Sequence, residues 1–358
     1  MTASASPNGM IVASGDRPEH GPDLDGLRMV PLRVRLAAAP VVWLPLGIGD
    51  RALVTTGDAV AAGTPLAERI REPTLLDTAP TGRGSPPVEV PASLGPDRQS
   101  GEWVGDAGDG PVGELAIHLD GRWRVVGGEP AETIEAPAAG IVRDVRSGQG
   151  ISLAIDGPAV PAVVGVGGPA RGRLSIATES DGELRPSAID VGRAGTILVA
   201  GSRVDAETLT RARAMGIRGV VVAALSAKDL RDFEASERRQ SASLHRPPPF
   251  AVVVLDGALR RPIPSAIMAI LAASEGREVG LVADPPALLL GPDAPSVPAP
   301  DPRHVRVRHG PLAGREGLWI GLAGLRRFRA GTHLEAGLVK LDEGIPIPIP
   351  LADLERFA

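Results

Sequence analysis

Side chains able to do chemistry are few in this sequence, and they are scattered. Cysteine is absent from the 358 residues, which removes thiolate nucleophiles, disulfides and Cys-ligated zinc or iron–sulfur clusters. The six histidines are His20, His118, His245, His304, His309 and His333. His304 and His309 fall on one strand-like stretch, an odd number of residues apart. The two-residue period puts them on opposite faces, which argues against a shared metal. His245 follows Glu234 and Glu237 but lies beyond the expected end of their helix. No Gly-x-Ser-x-Gly elbow, phosphate loop or zinc-protease motif is present. The expectation is therefore no catalytic residue, no metal and no cofactor.

Two other groups of residues could bind rather than react. Gly201-Ser202-Arg203 precedes a helical pattern, and Asp256-Gly257 ends an apolar run. In open α/β domains ligands sit beyond the carboxyl ends of the strands, so Ser202, Arg203 and Asp256 are candidate ligand contacts, with an anion at the helix N-terminus. The competing reading is that Gly, Ser and Asp are the residues turns require. The second group is basic. Between Arg303 and Gly331 there are seven arginines and one acid, Glu316, on a chain of formal net charge −5. Arg306, Arg308, Arg315, Arg326, Arg327 and Arg329 are the candidate nucleic-acid contacts, because a guanidinium can hold phosphate oxygens bidentately. The alternative is a solvated loop, or one that pairs with the acidic remainder of the same chain.

The elements that must position these residues are short apolar segments punctuated by Gly and Pro. Hydrophobic content of 43% is enough for real cores, and with four Phe, four Trp and no Tyr those cores must be aliphatic. Residues 1–27 lack periodicity and read as a disordered tail. Residues 77–113 read as a long Pro/Gly-rich loop. From about 190 to 285 strands alternate with helices. Asp205 caps a helix stopped by Gly216. Ser226 and Asp229 form a capping-box pair, flanked by Leu225 and Leu230 at the staple positions, for a helix over 227–239. A further helix spans 265–275, and strands are expected at 196–200, 220–222, 251–255 and 279–283. Such alternation implies a small α/β domain with mostly parallel strands. Residues 286–301 read as a Pro-rich linker.

The segment Gly49-Asp50-Arg51-Ala52-Leu53-Val54, with Gly57-Asp58-Ala59-Val60-Ala61-Ala62-Gly63-Thr64-Pro65-Leu66, resembles a lipoyl/biotinyl-type hybrid barrel. Ala136-Pro137-Ala138-Ala139-Gly140-Ile141-Val142 is similar to the second half of the same family. With Val41–Leu46, the whole resembles the barrel-sandwich domain of the C subunit of Rnf-type electron-transport complexes. Carriers in that family attach their cofactor to a hairpin lysine. The first lysine here is Lys228, so the resemblance implies a barrel used as scaffold without a prosthetic group. The iron–sulfur cysteines of the Rnf-type subunit are absent as well.

The C-terminal stretch Val305-Arg306-Val307-Arg308-His309-Gly310-Pro311-Leu312-Ala313-Gly314-Arg315-Glu316-Gly317 resembles a KOW-type SH3-like barrel. A closing Ile345–Glu355 segment belongs to the same likeness. Leu318–Thr332, with Gly321, Gly324 and Arg326-Arg327-Phe328-Arg329, is longer and more basic than a minimal barrel of this kind. The family's RNA- and protein-contacting members imply a nucleic-acid or ribonucleoprotein partner.

The chain is thus expected to be multidomain and β-rich, of the α+β class. Its parts would be a barrel-sandwich hybrid at 28–165 interrupted by an insertion at about 68–134, an α/β domain at 170–285, and an SH3-like β-barrel at 302–358. The leading functional expectation is a non-catalytic adaptor whose basic barrel contacts RNA, DNA or a ribonucleoprotein. The alternatives are a structural assembly component within a protein complex, and an enzyme with a small-molecule site at the α/β strand ends. With no signal peptide and no apolar run near the ~20 residues a membrane span needs, a cytoplasmic protein without a membrane partner is expected.

Overall fold

The computed structural model describes residues 27, 29–32, 37–38, 40–46, 50–77, 103–104, 114–119, 122–146, 148–241, 249–298, 300–329, 331–341 and 344–357. The expected tail apart from Leu27, most of the expected loop at 77–113, and His20 and His245 lie outside them. The chain is strand-rich with few helices, 46% strand and 16% helix, in several sheets. It divides into two compact units, Ala39–Asp156 and a second made of Met1–Ala38 with Gly157–Ala358.

In the unit Ala39–Asp156, a four-stranded sheet orders Val41–Pro45, Gly150–Ile155, Gly140–Arg146 and Ala59–Val60. A second sheet is built on the long antiparallel pair Pro65–Asp77 and Arg122–Glu135, so much of the expected insertion is strand. The two motif halves are knitted by backbone bonds. Gly57 N donates to Val142 O (2.8 Å), Val142 N to Asp58 O (2.9 Å), and Gly63 N to Ala136 O (2.9 Å). Asp58 closes its own turn by accepting from Thr55 N at 2.7 Å. Val42, Leu44, Leu66, Ile151, Leu153 and Ile155 form the interior. Asp50 is buried against Arg69 at 3.1 Å, a satisfied ion pair within this unit.

The second unit contains an α/β sheet whose centre is parallel: Ala170–Ile176, Thr196–Val199, Gly219–Ala224 and Ala251–Gly257. Antiparallel strands flank it, among them Glu278–Ala283 and Pro286–Leu289. Central strands covered on both faces read as continuous apolar runs, and alternate residues feed two cores. Ile197, Val199, Val221 and Val253 pack with helix α3 (Ser265–Ala273). Leu198, Val220, Val222 and Val252 pack with helices α1 (Ala206–Ala214) and α2 (Ala227–Ser241). Asp205 caps α1 by accepting from Thr208 N at 2.7 Å, and Ser226 Oγ caps α2 by accepting from Asp229 N at 3.1 Å.

Three boundaries differ from expectation. The stretch expected to begin the linker forms the strand Pro286–Leu289, because Ala287, Leu288 and Leu289 have apolar side chains to bury. Residues 158–161 and 164–167 join the α/β sheet and do not belong to the preceding unit. Val30–Leu32 pairs in parallel with Leu354–Phe357 and completes the C-terminal sheet from the other end of the chain. That six-stranded sheet runs Val30–Leu32, Leu354–Phe357, His304–Val307, Glu316–Arg327, His333–Leu341 and Ile347–Pro350. Its core holds Met29, Val305, Val307, Trp319, Val339, Leu341, Ile349 and Leu354. The Trp319 indole lies against Gly337, where a Cβ would sit 1.9 Å from a ring carbon.

Candidate nucleic-acid interface

The alternation Val305-Arg306-Val307-Arg308 turns both valines into the C-terminal core and both arginines to the opposite face. That face is not solvent at Arg306. The guanidinium is fully buried, 2.8 Å from Asp256 Oδ2, 3.2 Å from Glu355 Oε1 and 2.9 Å from the Pro262 carbonyl. Asp256 and Pro262 belong to the α/β part, so Arg306 joins the two parts of this unit. It cannot reach a phosphate, and its assignment as a nucleic-acid contact is corrected on that ground. A buried charge is tolerated only when paired and hydrogen-bonded, which Asp256 and Glu355 provide. Burial pushes the Glu355 carboxyl above its ordinary range, and Arg306 offsets part of that rise.

The same seam uses other residues of the Gly-Pro motif. Gly314, at φ +86°, lies against the α/β part, where a Cβ would be 2.6 Å from Pro262 Cδ. Glu316 accepts from Ser265 N at 2.9 Å and also bonds the Ser265 hydroxyl, so it caps α3 from the neighbouring sheet. The residue preceding that helix, Pro264, offers no side-chain cap of its own. His304 Nε2 lies 2.8 Å from the same carboxylate, and its ring meets Phe357 edge-on. Burial alone would raise the Glu316 carboxyl, but the hydrogen bonds from His304 and Ser265 together hold it below the usual range. His309 pairs instead with Asp353 at 3.4 Å. Among the described residues no cluster of three His, Asp or Glu is placed to hold a metal.

The expected ligand contacts at the strand ends are each engaged by the protein's own groups. Ser202 is buried, with its Oγ 2.7 Å from Asp181 O and 2.9 Å from Gly182 O, and it accepts from Arg260 Nε at 3.4 Å. Gly201 fits beneath the same loop, since a Cβ there would lie 2.4 Å from Glu179 O. Arg203 is half-exposed between Glu183 (3.9 Å) and Asp229 (3.7 Å). Asp256 is held by Arg306 and by Arg261 at 3.5 Å. The first turn of α1 faces the carboxylates of Asp205 and Asp229, which occupy the position an anion would need. These residues serve as turn and seam residues.

The remaining arginines separate clearly. Arg308 is half-buried, 3.7 Å from Glu355, and Arg315 is exposed but engaged by a neighbour. Arg326, Arg327 and Arg329 are exposed at the end of the hairpin Glu316–Arg327/His333–Leu341. Arg326 Nε donates to the Ala323 carbonyl at 3.0 Å. Among the described residues none of the three has a carboxylate partner. Around them, Ile320, Leu322, Leu325 and Leu334 are exposed, a feature that basic-residue counting does not detect. Strand alternation running past the end of the core was its only sequence signal. Leu322 and Leu325 border an open groove with Leu27, Ala336 and Leu351. No helix among the described residues is long and apolar enough to cross a membrane.

No family model matches the chain, and no curated protein sequence matches it.

Proposed function

We propose that this chain is a non-catalytic adaptor that binds nucleic acid through the free end of the C-terminal hairpin. The observation that carries the proposal is the trio Arg326, Arg327 and Arg329, exposed together without carboxylate partners on an acidic chain. Uncompensated guanidinium groups on a narrow element suit phosphate oxygens, and they act locally even where the whole chain is negative. In this reading the six-stranded sheet is an SH3-like barrel of KOW type. The Gly310-Pro311 turn and the Gly314 approach support it. The Ala39–Asp156 unit is read as a barrel-sandwich hybrid serving as scaffold, supported by its paired turns at 55–58 and 61–64.

The test uses the full chain, titrated into labelled nucleic acid at low salt and followed by fluorescence anisotropy. Binding is expected, and it weakens at least tenfold in Arg326→Ala/Arg327→Ala/Arg329→Ala. A triple variant that keeps wild-type affinity removes the proposal. The exposed aliphatics of the hairpin favour a second reading, a protein partner, because clustered apolar surface marks interaction sites. Under that reading light scattering or pull-down detects a protein complex, and Leu322→Ser/Leu325→Ser abolishes it while the arginine variant does not.

A further inference from the structure

We infer that the hairpin recognises duplex DNA by entering the major groove as a two-stranded ribbon, an inference that rests on the nucleic-acid reading above. Beyond Ala336 the strands leave the core, and side chains on both faces become exposed. Arg326 pairs across the hairpin with Leu334, and Arg327 with His333. Successive residues of a strand point to opposite faces, so Arg326 and Arg327 project from opposite sides of the ribbon, with Arg329 at its turn. With the face carrying Arg326 and Leu334 turned to the groove floor, Arg327 and Arg329 lie on the outer face and at the tip, from which long guanidinium side chains can reach the flanking phosphates.

Dimensions agree with that placement. Two strands about 4.8 Å apart, with their side chains, match a B-form major groove about 12 Å wide. The span from Leu322 to Arg327 is about 17 Å at about 3.3 Å per residue, enough to follow the groove floor. The hairpin also has a source of curvature. Its register shifts between Trp319 and Gly321 and again between Leu322 and Gly324. Bulges increase right-handed twist, and Gly324 takes φ +69° with open space around it, so glycine is needed there for backbone shape and not for packing.

Composition argues against the other nucleic acids. Single strands are held on aromatic platforms, whereas the rings on this end are the half-buried Phe328 and a lone exposed imidazole, His333. A-form RNA has a major groove too narrow for such a ribbon. Leu334, exposed on the same face of the ribbon as Arg326, suits the C5-methyl group of thymine, which only the DNA major groove presents.

The experiment compares a mixed-sequence DNA duplex, one of its strands alone, the corresponding RNA duplex and anionic phosphatidylglycerol vesicles, all with the full chain. Duplex DNA is expected to bind at least tenfold more tightly than the other three. Methyl green, a major-groove dye, should be displaced, whereas distamycin in the minor groove should not compete. Leu334→Ser, at an exposed position tolerable to the fold, should narrow the preference for duplex DNA over single strands. Equal or tighter binding to single strands, RNA duplex or vesicles overturns the inference, as does competition by distamycin. If single strands or RNA duplex bind, the nucleic-acid reading survives that loss; if no nucleic acid binds at all, both fall together.

Discussion

Arg306 and Arg326 are the same residue type in the same sheet, yet their surroundings give them opposite roles. Arg306 is enclosed by Asp256, Glu355 and the Pro262 carbonyl, whereas Arg326 bonds a single backbone carbonyl beside open solvent. Removing one member of a buried ion pair leaves its partners charged and desolvated, so Arg306→Ala should cost about 3–5 kcal/mol in urea unfolding. Arg326→Ala should change stability by less than about 0.5 kcal/mol. Glu316 supplies the pH test. Its folded-state value is depressed, so its contribution is complete above the unfolded carboxylate value of about 4.3 and is lost as pH falls through the lower folded value. Glu355 runs in the opposite direction, because its raised carboxyl makes the ionised form a burden as pH rises. Glu316→Gln should therefore lose about 1.5–3 kcal/mol at neutral pH and show a shallower loss on acidification than wild type. An identical acid profile would mean that the Glu316 bonds to Ser265 and His304 contribute nothing.

At the scale of elements, the parts visible in the sequence are those whose cause is local. Ser226 and Asp229 lie three residues apart, and the α2 cap they specify forms as that spacing requires. The α1 cap at Asp205 and the stop at Gly216 are equally local. Partnerships across long separations leave no such mark. Nothing near Val30 announces that it pairs with Glu355, and nothing near Arg306 announces Asp256. The alternation Val-Arg-Val-Arg identifies which face is apolar, but not that the polar face is covered. The arginine cluster was legible as a cluster, while its division into a seam and an exposed hairpin end depends on tertiary contacts. Gly314 combines both kinds of constraint, a left-handed φ and a close approach to Pro262. Gly314→Ala should destabilise the seam by at least about 1–2 kcal/mol from the backbone alone, read as a lowered urea midpoint. Gly310→Ala, at φ +82° with open space around it, should lose only the backbone part.

For the whole molecule, residues 302–358 are not self-sufficient. An isolated fragment loses the strand Val30–Leu32 and leaves Arg306 without Asp256. It should lack cooperative unfolding by circular dichroism. A chain in which Ala38 is joined to Gly157 by a flexible linker keeps every partner within its unit and should unfold cooperatively. Binding studies consequently belong with the intact chain, where Arg306 is held by Asp256 and Glu355 and the hairpin end keeps three exposed arginines without carboxylate partners among the described residues. The most direct measurement is the salt dependence of DNA binding by the intact chain and by Arg326→Ala/Arg327→Ala/Arg329→Ala. Each lost phosphate contact should reduce the slope of log K against log salt by about 0.9, so the triple variant should fall short of wild type by about 2.7 with its urea midpoint unchanged. An unchanged slope, or one reduced equally by Arg308→Ala, would contradict the assignment of contact to the hairpin end.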